Sequence, residues 1–465
     1  MSGAIDPAVG LWAFMLQRYL LQPSLGLRRP LGVPRRLSGL RHVRVASLVP
    51  VTLPDRTRIA ARFGVGVAEV SRRLGKGGGS VIGGRAILAL DPNALAHLSA
   101  GRKVALVSGT NGKTTTTSLL ATALSAGGRV LTNLQGANLP MGLVSALADG
   151  PSGAPAVLEV DEAWLPKVVA ATRPAAVGLL NLTRDQLDRN NEVRTLASSW
   201  RSALAGPAAG TVVANADDPL VAWGAGRATN VVWVGVGQPW TEDSGGCPNC
   251  GDRIEFTPSG WSCGACDFAR PRTNVELEGD RLRWQDDTTL RLDLALPGRA
   301  NRANAAVALC VAKVLGADPA AAAGSISSLG QVGGRYAKIV VGGRKARLLL
   351  AKNPAGWMET FEVLASPPGP VVVAVNARLA DGRDPSWLWD VPFERLRGHF
   401  VTVTGERAWD LAVRFRYAEV DHTVIFDPLD AIRHAARGGD LDVVANYTAF
   451  QEIRSKLSPV GISTL

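Results

Sequence analysis

Short apolar runs alternate with longer helix-like stretches along most of the chain from about residue 58. The apolar runs end at polar or glycine-rich turns, as in KVALVSG, APAVLEV, AAVGLLNL and GTVVANA, and later in ARLLLA, GPVVVAVN and HFVTVTG. Among the helix-like stretches, DPLDAIRHAARGGD has Asp427 as its expected N-cap and Gly438 as its expected stop. This alternation predicts an α/β fold in which a mostly parallel sheet carries helices on both faces.

Two interruptions of the pattern predict the domain organisation. The stretch over roughly 238–272 is rich in Gly, Cys and Trp and is predicted to be an insert, and the glycines within 330–334 mark a boundary. We expect the second alternating block to be a Rossmann-like α/β domain. The predicted parts are a basic, disordered extension (1–57), a central domain (58–330) with an insert at 241–272, and a C-terminal domain (331–465).

Composition describes a globular protein with an excess of positive charge. A chain of 465 residues is too long to form a single hydrophobic core, so more than one domain is expected. Its content of 46 % hydrophobic and 20 % charged residues is typical of globular proteins. No apolar run is long enough to predict a membrane-spanning helix. The formal charge of +11 points to an anionic partner, and residues 1–50 hold seven arginines and one acid, Asp6. The alternative to a disordered extension is therefore a basic arm that contacts a membrane surface.

A phosphate-binding turn is predicted within ALVSGTNGKTTTTSLL, residues 105–120. A buried strand leads into a glycine turn, and a helix begins directly after it. The two glycines let backbone N–H groups approach a phosphate, a lysine charge faces the terminal phosphates, and a hydroxyl is available to Mg²⁺. Only two residues separate the glycines, against four in the common P-loop. The turn consists of Gly109, Thr110, Asn111, Gly112, Lys113, Thr114 and Thr115.

Polar residues follow the next predicted strands. In LEVDEAWLP, the carboxylates of Glu159, Asp161 and Glu162 would repel one another without a cation, so Mg²⁺ is the expected occupant. Two further segments offer amides and acids at strand ends, although an Asx turn would also explain the second. These are NLTRDQLDR, with Asn181, Asp185 and Asp188, and ANADDP, with Asn215, Asp217 and Asp218.

Four of the five cysteines lie in one short window. Cys247, Cys250, Cys263 and Cys266 form a C-x₂-C-x₁₂-C-x₂-C pattern, which predicts a structural Zn²⁺ site in a zinc ribbon. The fifth, Cys310, sits in the apolar helix pattern NAAVALCVAKVLG and is predicted to be a core residue. This usage does not suggest disulfides and fits a reducing cytoplasm.

The order of these motifs resembles the central domain of the Mur ligase family. The shared motifs are GTNGKTT, an acid after the next strand, N-x-x-x-D-x-L-D, NADDP and GRANRANA, within residues 103–310. The resemblance implies that ATP and Mg²⁺ activate a carboxylate as an acyl phosphate, which an amine then attacks. It places the phosphates at Lys113 and Thr114, Mg²⁺ at Thr114 and Glu159, and the adenine near Asn301 and Asn304.

Two positions depart from the family pattern. The family motif D-H-L-D has Gln186 in place of its histidine here, and Arg201 stands near the expected position of a lysine that several members carbamylate. Both changes concern a second metal site. The resemblance therefore implies that this second site is built differently in this chain.

Several further segments resemble the MurT subfamily, the ligase subunits of lipid II isoglutaminyl synthases. They are the zinc ribbon, RRLGKGGGSVIGGRAILALDP, AKNPAGW, DGRDPSWLWDVPFE and NYTAF, and the resemblance covers about residues 58–458. It implies a heterodimer with a GatD-type glutamine amidotransferase that supplies ammonia. The reaction would convert the α-carboxylate of D-glutamate in lipid II into the amide of D-isoglutamine, during peptidoglycan biosynthesis. The expected location is cytoplasmic, at the inner face of a bacterial cell membrane, with no nucleic-acid partner.

The resemblance also implies roles in the C-terminal block. One Asp of DGRDPSWLWD would orient a histidine of the partner in a Cys-His-Asp arrangement, and the sequence does not choose among Asp381, Asp384 and Asp390. Lys352 and Asn353 in AKNPAG would face the acyl phosphate. A structural Asn-Pro turn is the alternative for that segment.

Two rival functions stay open. The first is a Mur-type ligase that adds an amino acid without a glutaminase, which the zinc ribbon and DGRDPSWLWD disfavour. The second is a zinc-ribbon ATPase that binds nucleic acid, prompted by the positive charge. That class would need clustered basic and aromatic side chains, whereas the ribbon CPNCGDRIEFTPSGWSCGACDFARPR has few basic residues before its end.

Overall fold

The computed structural model describes residues 53–74, 79–133, 137–185, 193–330, 332, 335–364 and 368–457. The predicted extension lies outside these residues up to position 52. Gln186 and Asp188, which the sequence analysis singled out, also lie outside them.

A nine-stranded sheet occupies the first part of the described chain. Its strands are β1 (Val104–Ser108), β2 (Leu131–Thr132), β3 (Ala156–Glu159), β4 (Ala176–Leu179), β5 (Thr211–Asn215), β6 (Asn230–Gly235), β9 (Val275–Glu278), β10 (Arg281–Trp284) and β11 (Thr289–Arg291). Their order is β11-β10-β9-β6-β5-β4-β1-β3-β2. Pairs from β2 to β9 are parallel, and β9, β10 and β11 pair antiparallel. Between β6 and β9 lies a separate hairpin, β7 (Ile254–Thr257) with β8 (Gly260–Cys263).

The helices of this part precede the sheet, connect its strands or follow its last strand. They are α1 (Asp55–Arg73), α2 (Ser80–Leu90), α3 (Ala94–Ser99), α4 (Lys113–Leu124), α5 (Pro140–Ala148), α6 (Leu165–Thr172), α7 (Val193–Leu204), α8 (Pro219–Ala225), α9 (Arg299–Val314) and α10 (Pro319–Ser327). Of the helices in the described ranges, none is both long and apolar enough to cross a membrane.

A six-stranded sheet forms the second part. Its strands are β12 (Tyr336–Val341), β13 (Arg344–Leu350), β14 (Pro370–Ala374), β15 (Phe400–Thr404), β16 (His422–Val424) and β17 (Leu441–Ala445), in the order β12-β13-β17-β14-β15-β16. Only the β12–β13 pair is antiparallel. The helices are α11 (Pro354–Phe361), α12 (Ala408–Tyr417), α13 (Pro428–Ala436) and α14 (Tyr447–Leu457).

The predicted α/β class is confirmed, and each apolar run quoted above contains a strand. All five residues of β1 are buried, as a strand covered on both faces requires. Asp427 caps α13 by accepting hydrogen bonds from the N–H groups of Leu429 and Asp430. The strands β9–β11 have no counterpart in the sequence prediction. They form a ribbon in which buried and exposed residues alternate, as with Leu282 and Trp284 in β10, so no continuous apolar run marks them.

Aromatic packing fixes the segment between β14 and β15. The ring of Trp357 lies 4.8 Å from that of Phe393, which lies 4.7 Å from that of Phe415. All three side chains are fully buried. Edge-to-face rings add to the free energy of burial, so this core holds α11, α12 and the loop 375–399 in one arrangement.

Candidate active site

The phosphate turn needs glycine at both predicted positions. Gly109 and Gly112 have φ angles of +140° and +87°, which L side chains rarely adopt. A Cβ atom on Gly112 would lie 2.3 Å from Oδ1 of Asn304. The turn therefore brings the start of α4 directly against α9, and Asn304 lies beside the backbone that would face a phosphate.

The loop after β4 holds the turn from the other side. The N–H of Thr110 donates to the carbonyl of Asn181 at 2.8 Å, and the N–H of Asn111 donates to its side-chain Oδ1 at 2.9 Å. The side chain of Asn181 donates in return to the carbonyl of Asn111 at 3.0 Å. Thr115 is buried in the first turn of α4. The turn is thus held in place by neighbouring backbone and side chains.

Lys113 is buried, and its ammonium group points back over the turn. It donates to the carbonyls of Gly109 at 2.6 Å and Thr110 at 3.3 Å, and forms an ion pair with Glu162 at 3.2 Å. Burial alone would lower the pKa of Lys113, but the negative charges of Glu162, Glu159 and Asp185 outweigh it and raise that pKa above its usual value. Lys113 is therefore a fixed positive charge at the turn.

Thr114 and Glu159 form an oxygen-rich corner next to this lysine. The hydroxyl of Thr114 donates to Oε2 of Glu159 at 2.8 Å, and the amide of Asn138 donates to Oε1 at 3.4 Å. Arg335 donates to the Thr114 hydroxyl at 3.2 Å. Glu159 is 1 % exposed, and the side chains that donate to it within the described residues are neutral. A buried carboxylate beside a hydroxyl fits Mg²⁺, which prefers oxygen ligands.

Two residues of the β13–α11 loop reach the same corner from the C-terminal part. Lys352 forms an ion pair with Asp185, and both side chains are largely buried. Asn353 and Asn111 exchange amide hydrogen bonds of 3.2 and 3.3 Å, while Oδ1 of Asn353 also caps α11 by accepting from the N–H of Gly356. Asn353 therefore serves both as the predicted Asn-Pro turn and as a contact to the phosphate turn.

A cleft continues from the turn along α9. Asn304 lines it, whereas Asn301 does not and donates instead to the carbonyl of Pro297 at 2.6 Å. An ion pair between Arg299 and Glu359 closes the far side, and burial raises the pKa of the Glu359 carboxyl. Of the two asparagines predicted near the adenine, the structure brings only Asn304 to the cleft.

Three residues that line the phosphate turn or the cleft were not predicted from the sequence: Arg335, Arg299 and Glu359. Arg335 directly follows the glycines of QVGGRYAK, which served only to mark a domain boundary. Arg299 belongs to GRANRANA, in which the family resemblance assigns a role only to the asparagines. Glu359 lies on α11, six residues beyond Asn353, and only the fold shows which side of that helix meets α9.

The zinc-binding prediction rests on four cysteines that the structure brings together. The four Sγ atoms lie within 4.8 Å of one another, although their knuckles are 13 residues or more apart in sequence. The β7–β8 hairpin separates the knuckles, and the indole of Trp261 donates to the carbonyl of Ala216 at 3.0 Å, which anchors the hairpin to the first sheet. Four thiols at this spacing fit tetrahedral Zn²⁺.

Cys310 and Arg201, which the sequence also singled out, lie outside the phosphate turn. Cys310 is 2 % exposed and burial raises the pKa of its thiol to about 12, so it is a core residue as predicted. Arg201 stacks over the ring of Trp223 at 3.7 Å and donates to the carbonyl of that residue. It belongs to the packing between α7 and α8, not to the carboxylates near Lys113.

The three aspartates of DGRDPSWLWD differ in the partners that their carboxylates have. Asp381 is buried, and its carboxylate accepts from Thr448 and from the N–H of Arg378, while burial raises its pKa. Asp390 pairs with Arg184 at 3.4 Å. Asp384 is exposed, and Oδ1 accepts from the N–H of Ser386 at 2.9 Å.

Comparisons with known proteins agree with this arrangement. Residues 107–312 match the Mur ligase middle domain, and residues 350–450 match the MurT ligase C-terminal domain. The chain is 28 % identical over 418 residues to the MurT subunit of the glutamine-hydrolyzing lipid II isoglutaminyl synthase of Staphylococcus aureus (strain N315), which covers 84 % of this chain and 95 % of that protein. The MurT subunit of Streptococcus pneumoniae (strain ATCC BAA-255 / R6) is 28 % identical over 424 residues, covering 84 % and 94 %.

Among solved structures, a pseudomurein peptide ligase type C from Methanothermus fervidus aligns with a TM-score of 0.61 at 18 % identity, over 77 % of this chain and 79 % of that one. At this identity the likeness concerns the fold alone. Together with the domain matches it confirms the predicted resemblance: this chain matches a Mur ligase middle domain, which holds the phosphate turn, followed by the C-terminal domain of MurT ligases.

Proposed function

We propose that this chain is the ligase subunit of a glutamine-hydrolysing lipid II isoglutaminyl synthase. It amidates the α-carboxylate of D-glutamate in lipid II, at the expense of ATP, with ammonia from a glutaminase partner. The observation that carries the proposal is the length of the similarity to MurT subunits, 84 % of this chain, which includes both the phosphate turn and the C-terminal domain. Because lipid II is lipid-anchored, the reaction takes place at the inner face of the bacterial cell membrane.

The phosphate turn binds ATP in this proposal. The N–H groups of the turn and the ammonium of Lys113 hold the terminal phosphates, and Asn304 lies towards the nucleoside. Thr114 and Glu159 would hold Mg²⁺, which would neutralise part of the negative charge of the phosphates. A carboxylate oxygen of the substrate attacks the γ-phosphorus and ADP leaves; ammonia then attacks the acyl carbon and phosphate leaves. Fixed positive charge around the transferred phosphoryl group is the main source of rate in such steps.

Lys352 and Asn353 complete the site from the C-terminal domain. The Lys352 ammonium adds a second positive charge close to Asp185 and Glu162. We infer that Lys352 faces the acyl phosphate. The contacts between Asn353 and Asn111 join the two domains beside the turn. We propose that this contact helps to exclude water from an anhydride that would otherwise hydrolyse.

The C-terminal domain carries a face suited to the glutaminase partner. This aromatic face consists of Trp389, Trp409, Val413, Tyr417 and Phe426, each 49–73 % exposed. Trp389 stacks edge-on against Tyr417, and Trp409 against Phe426. Exposed Trp and Tyr side chains held rigid by their neighbours are typical of the centres of protein interfaces. We propose that the GatD-type subunit docks here.

Asp384 is the best candidate for the partner's triad. Asp381 is committed to Thr448 inside this chain, and Asp390 is paired with Arg184. Asp384 is exposed five residues before Trp389 of the aromatic face, and within the described residues only one of its carboxylate oxygens accepts a hydrogen bond. We propose that the other oxygen accepts from the histidine of the partner.

The first prediction tests the function itself. The chain, purified with a GatD-type glutaminase, is expected to amidate lipid II in the presence of ATP, Mg²⁺ and glutamine, as measured by mass spectrometry of the product. Lys113→Ala should lower the rate by about 10²-fold or more, because the fixed charge at the phosphates is lost. Lys103→Ala, which changes an exposed lysine just before β1, is the control and should leave the rate unchanged. Transfer of an amino acid instead of ammonia would favour the Mur-type amino-acid ligase.

The second prediction concerns the cysteines. We expect one Zn²⁺ per chain in protein purified without chelators, and Cys250→Ser should lower both the zinc content and the melting temperature, because metal binding stabilises the folded ribbon. Cys310→Ser is the control for zinc content. Metal analysis of the two variants and the wild type checks this. Zinc below about half an equivalent in all three proteins would contradict a structural site.

The third prediction separates catalysis from stability at Lys352. Lys352→Met removes the ion pair with Asp185 and should lower the melting temperature, since a largely buried carboxylate loses a positive charge beside it. Adding Asp185→Asn should restore the melting temperature and leave the amidation rate low, because the charge at the acyl phosphate is still missing. Recovery of the rate together with stability would show that Lys352 is only structural.

The fourth prediction chooses among the three aspartates. In the complex, Asp384→Asn should lower the rate of glutamine hydrolysis by about 10²–10⁴-fold, because the partner's histidine loses its orienting acceptor. Asp390→Asn should hydrolyse glutamine at close to the wild-type rate, and Asp381→Asn should mainly lower the melting temperature. Normal hydrolysis by all three complexes would contradict a triad shared between subunits.

A further inference from the structure

The described residues expose two groups of large apolar side chains that differ in chemistry. One is the aromatic face of the C-terminal domain. The other lies on the helix pair α1–α2 and is aliphatic throughout, with side chains 40–64 % exposed: Ile59, Val70, Leu74, Val81, Ile82 and Leu90. Apart from these two groups, only a few large apolar side chains of the described chain are exposed. The exposed apolar surface of the helix pair is therefore aliphatic, unlike that of the aromatic face.

The aliphatic residues of α1 line one side of the helix. Ile59 and Val70 are 11 residues, or three turns, apart and share a face. Leu74, the residue directly after α1, follows Val70 by four positions. The buried residues of α1 point elsewhere, towards the body of the protein: Thr57, Ala60, Gly64, Ala68 and Ser71. An ordinary amphipathic helix buries its large apolar side chains, whereas α1 exposes Ile59 and Val70 on the side opposite its buried residues.

Close packing fixes which side of α2 is exposed. A Cβ atom on Gly83 would lie 2.6 Å from the carbonyl oxygen of Gly64, and one on Gly84 would lie 1.7 Å from that of Met141. The glycine face of α2 is thus in backbone contact with α1 and α5, and the helix cannot turn without a clash. Val81 and Ile82 are consequently held towards solvent.

Positive charge surrounds the aliphatic residues. Six arginines of the helix pair are exposed: Arg56, Arg58, Arg62, Arg72, Arg73 and Arg85. Within 53–74 and 79–90 the acids are Asp55, paired with Arg58, and Glu69, paired with Arg72 and Arg73. In sequence, the basic residues 1–50 come shortly before α1. The exposed surfaces of the two helices thus combine aliphatic side chains with more arginines than acids.

We propose that the exposed side of α1–α2 docks on an anionic lipid bilayer. Aliphatic side chains enter the boundary between headgroups and acyl chains, while arginines beside them reach the phosphates of the headgroups. The excess of arginines beside exposed aliphatic side chains favours a bilayer, whereas the aromatic face has the composition of a protein interface. The inference rests on the proposed function, because a lipid-anchored substrate gives such docking its use.

Sedimentation with vesicles tests the docking. The wild-type chain is expected to bind vesicles of phosphatidylglycerol and to bind those of phosphatidylcholine weakly. Ile59→Glu and Ile82→Glu should each weaken binding to the anionic vesicles by about tenfold, because each places a negative charge and loses apolar contact at the bilayer. Phe256→Glu, an equivalent change at an exposed side chain of β7, is the matched control and should bind as the wild type does.

Three results would overturn the proposal. The first is failure of the wild type to bind anionic vesicles, and the second is wild-type binding by both helix variants. The third is a change in the molecular mass of Ile59→Glu, measured by light scattering, without a change in vesicle binding. That result would make this surface a contact between copies of the chain. Activity distinguishes this failure from failure of the proposed function. The helix variants should amidate vesicle-embedded lipid II slowly and a water-soluble, short-chain lipid II normally, whereas a wild type that amidates neither refutes the function itself.

Discussion

The compensation of buried charge at the phosphate turn is the constraint on which the site depends. Three carboxylates, of Glu159, Glu162 and Asp185, lie close to Lys113, and their charges raise its pKa although burial opposes this. Such a cluster is stable only if each charge has a counterpart. One counterpart, Lys352, comes from the C-terminal domain. The electrostatics of the phosphate turn, the proposed nucleotide site, therefore depends on the contact between the two domains.

The C-terminal domain therefore contributes directly to the chemistry of the phosphate turn. The loop between β13 and α11 is held by the cap that Asn353 provides, so the same backbone geometry that starts a helix also presents Lys352 and Asn353 to the phosphate turn. Beyond that loop, the aromatic core from Trp357 to Phe415 positions the segment that bears Asp384. The phosphate site and the proposed partner site are thus connected by packed elements of one domain.

Residues that act through local backbone geometry could be predicted from the sequence. Gly109 and Gly112 were predictable because a left-handed turn next to a phosphate admits little else, and the four cysteines because metal ligation requires their spacing. Residues that act through tertiary contacts could not. Arg335 meets Thr114 across 221 positions of sequence, and the unlike environments of Asp381 and Asp384 depend on where α14 packs. Asn301 and Asn304 look alike in the motif, and only the path of α9 separates them.

The central claim is that the carboxylate of lipid II is activated by phosphorylation before ammonia attacks it. Lipid II labelled with ¹⁸O in the α-carboxylate of D-glutamate tests this directly, by mass spectrometry of the phosphate formed during amidation. Attack on the γ-phosphorus by a carboxylate oxygen, followed by displacement of phosphate, must carry one labelled oxygen into each phosphate released. Amidated product accompanied by unlabelled phosphate would contradict the account.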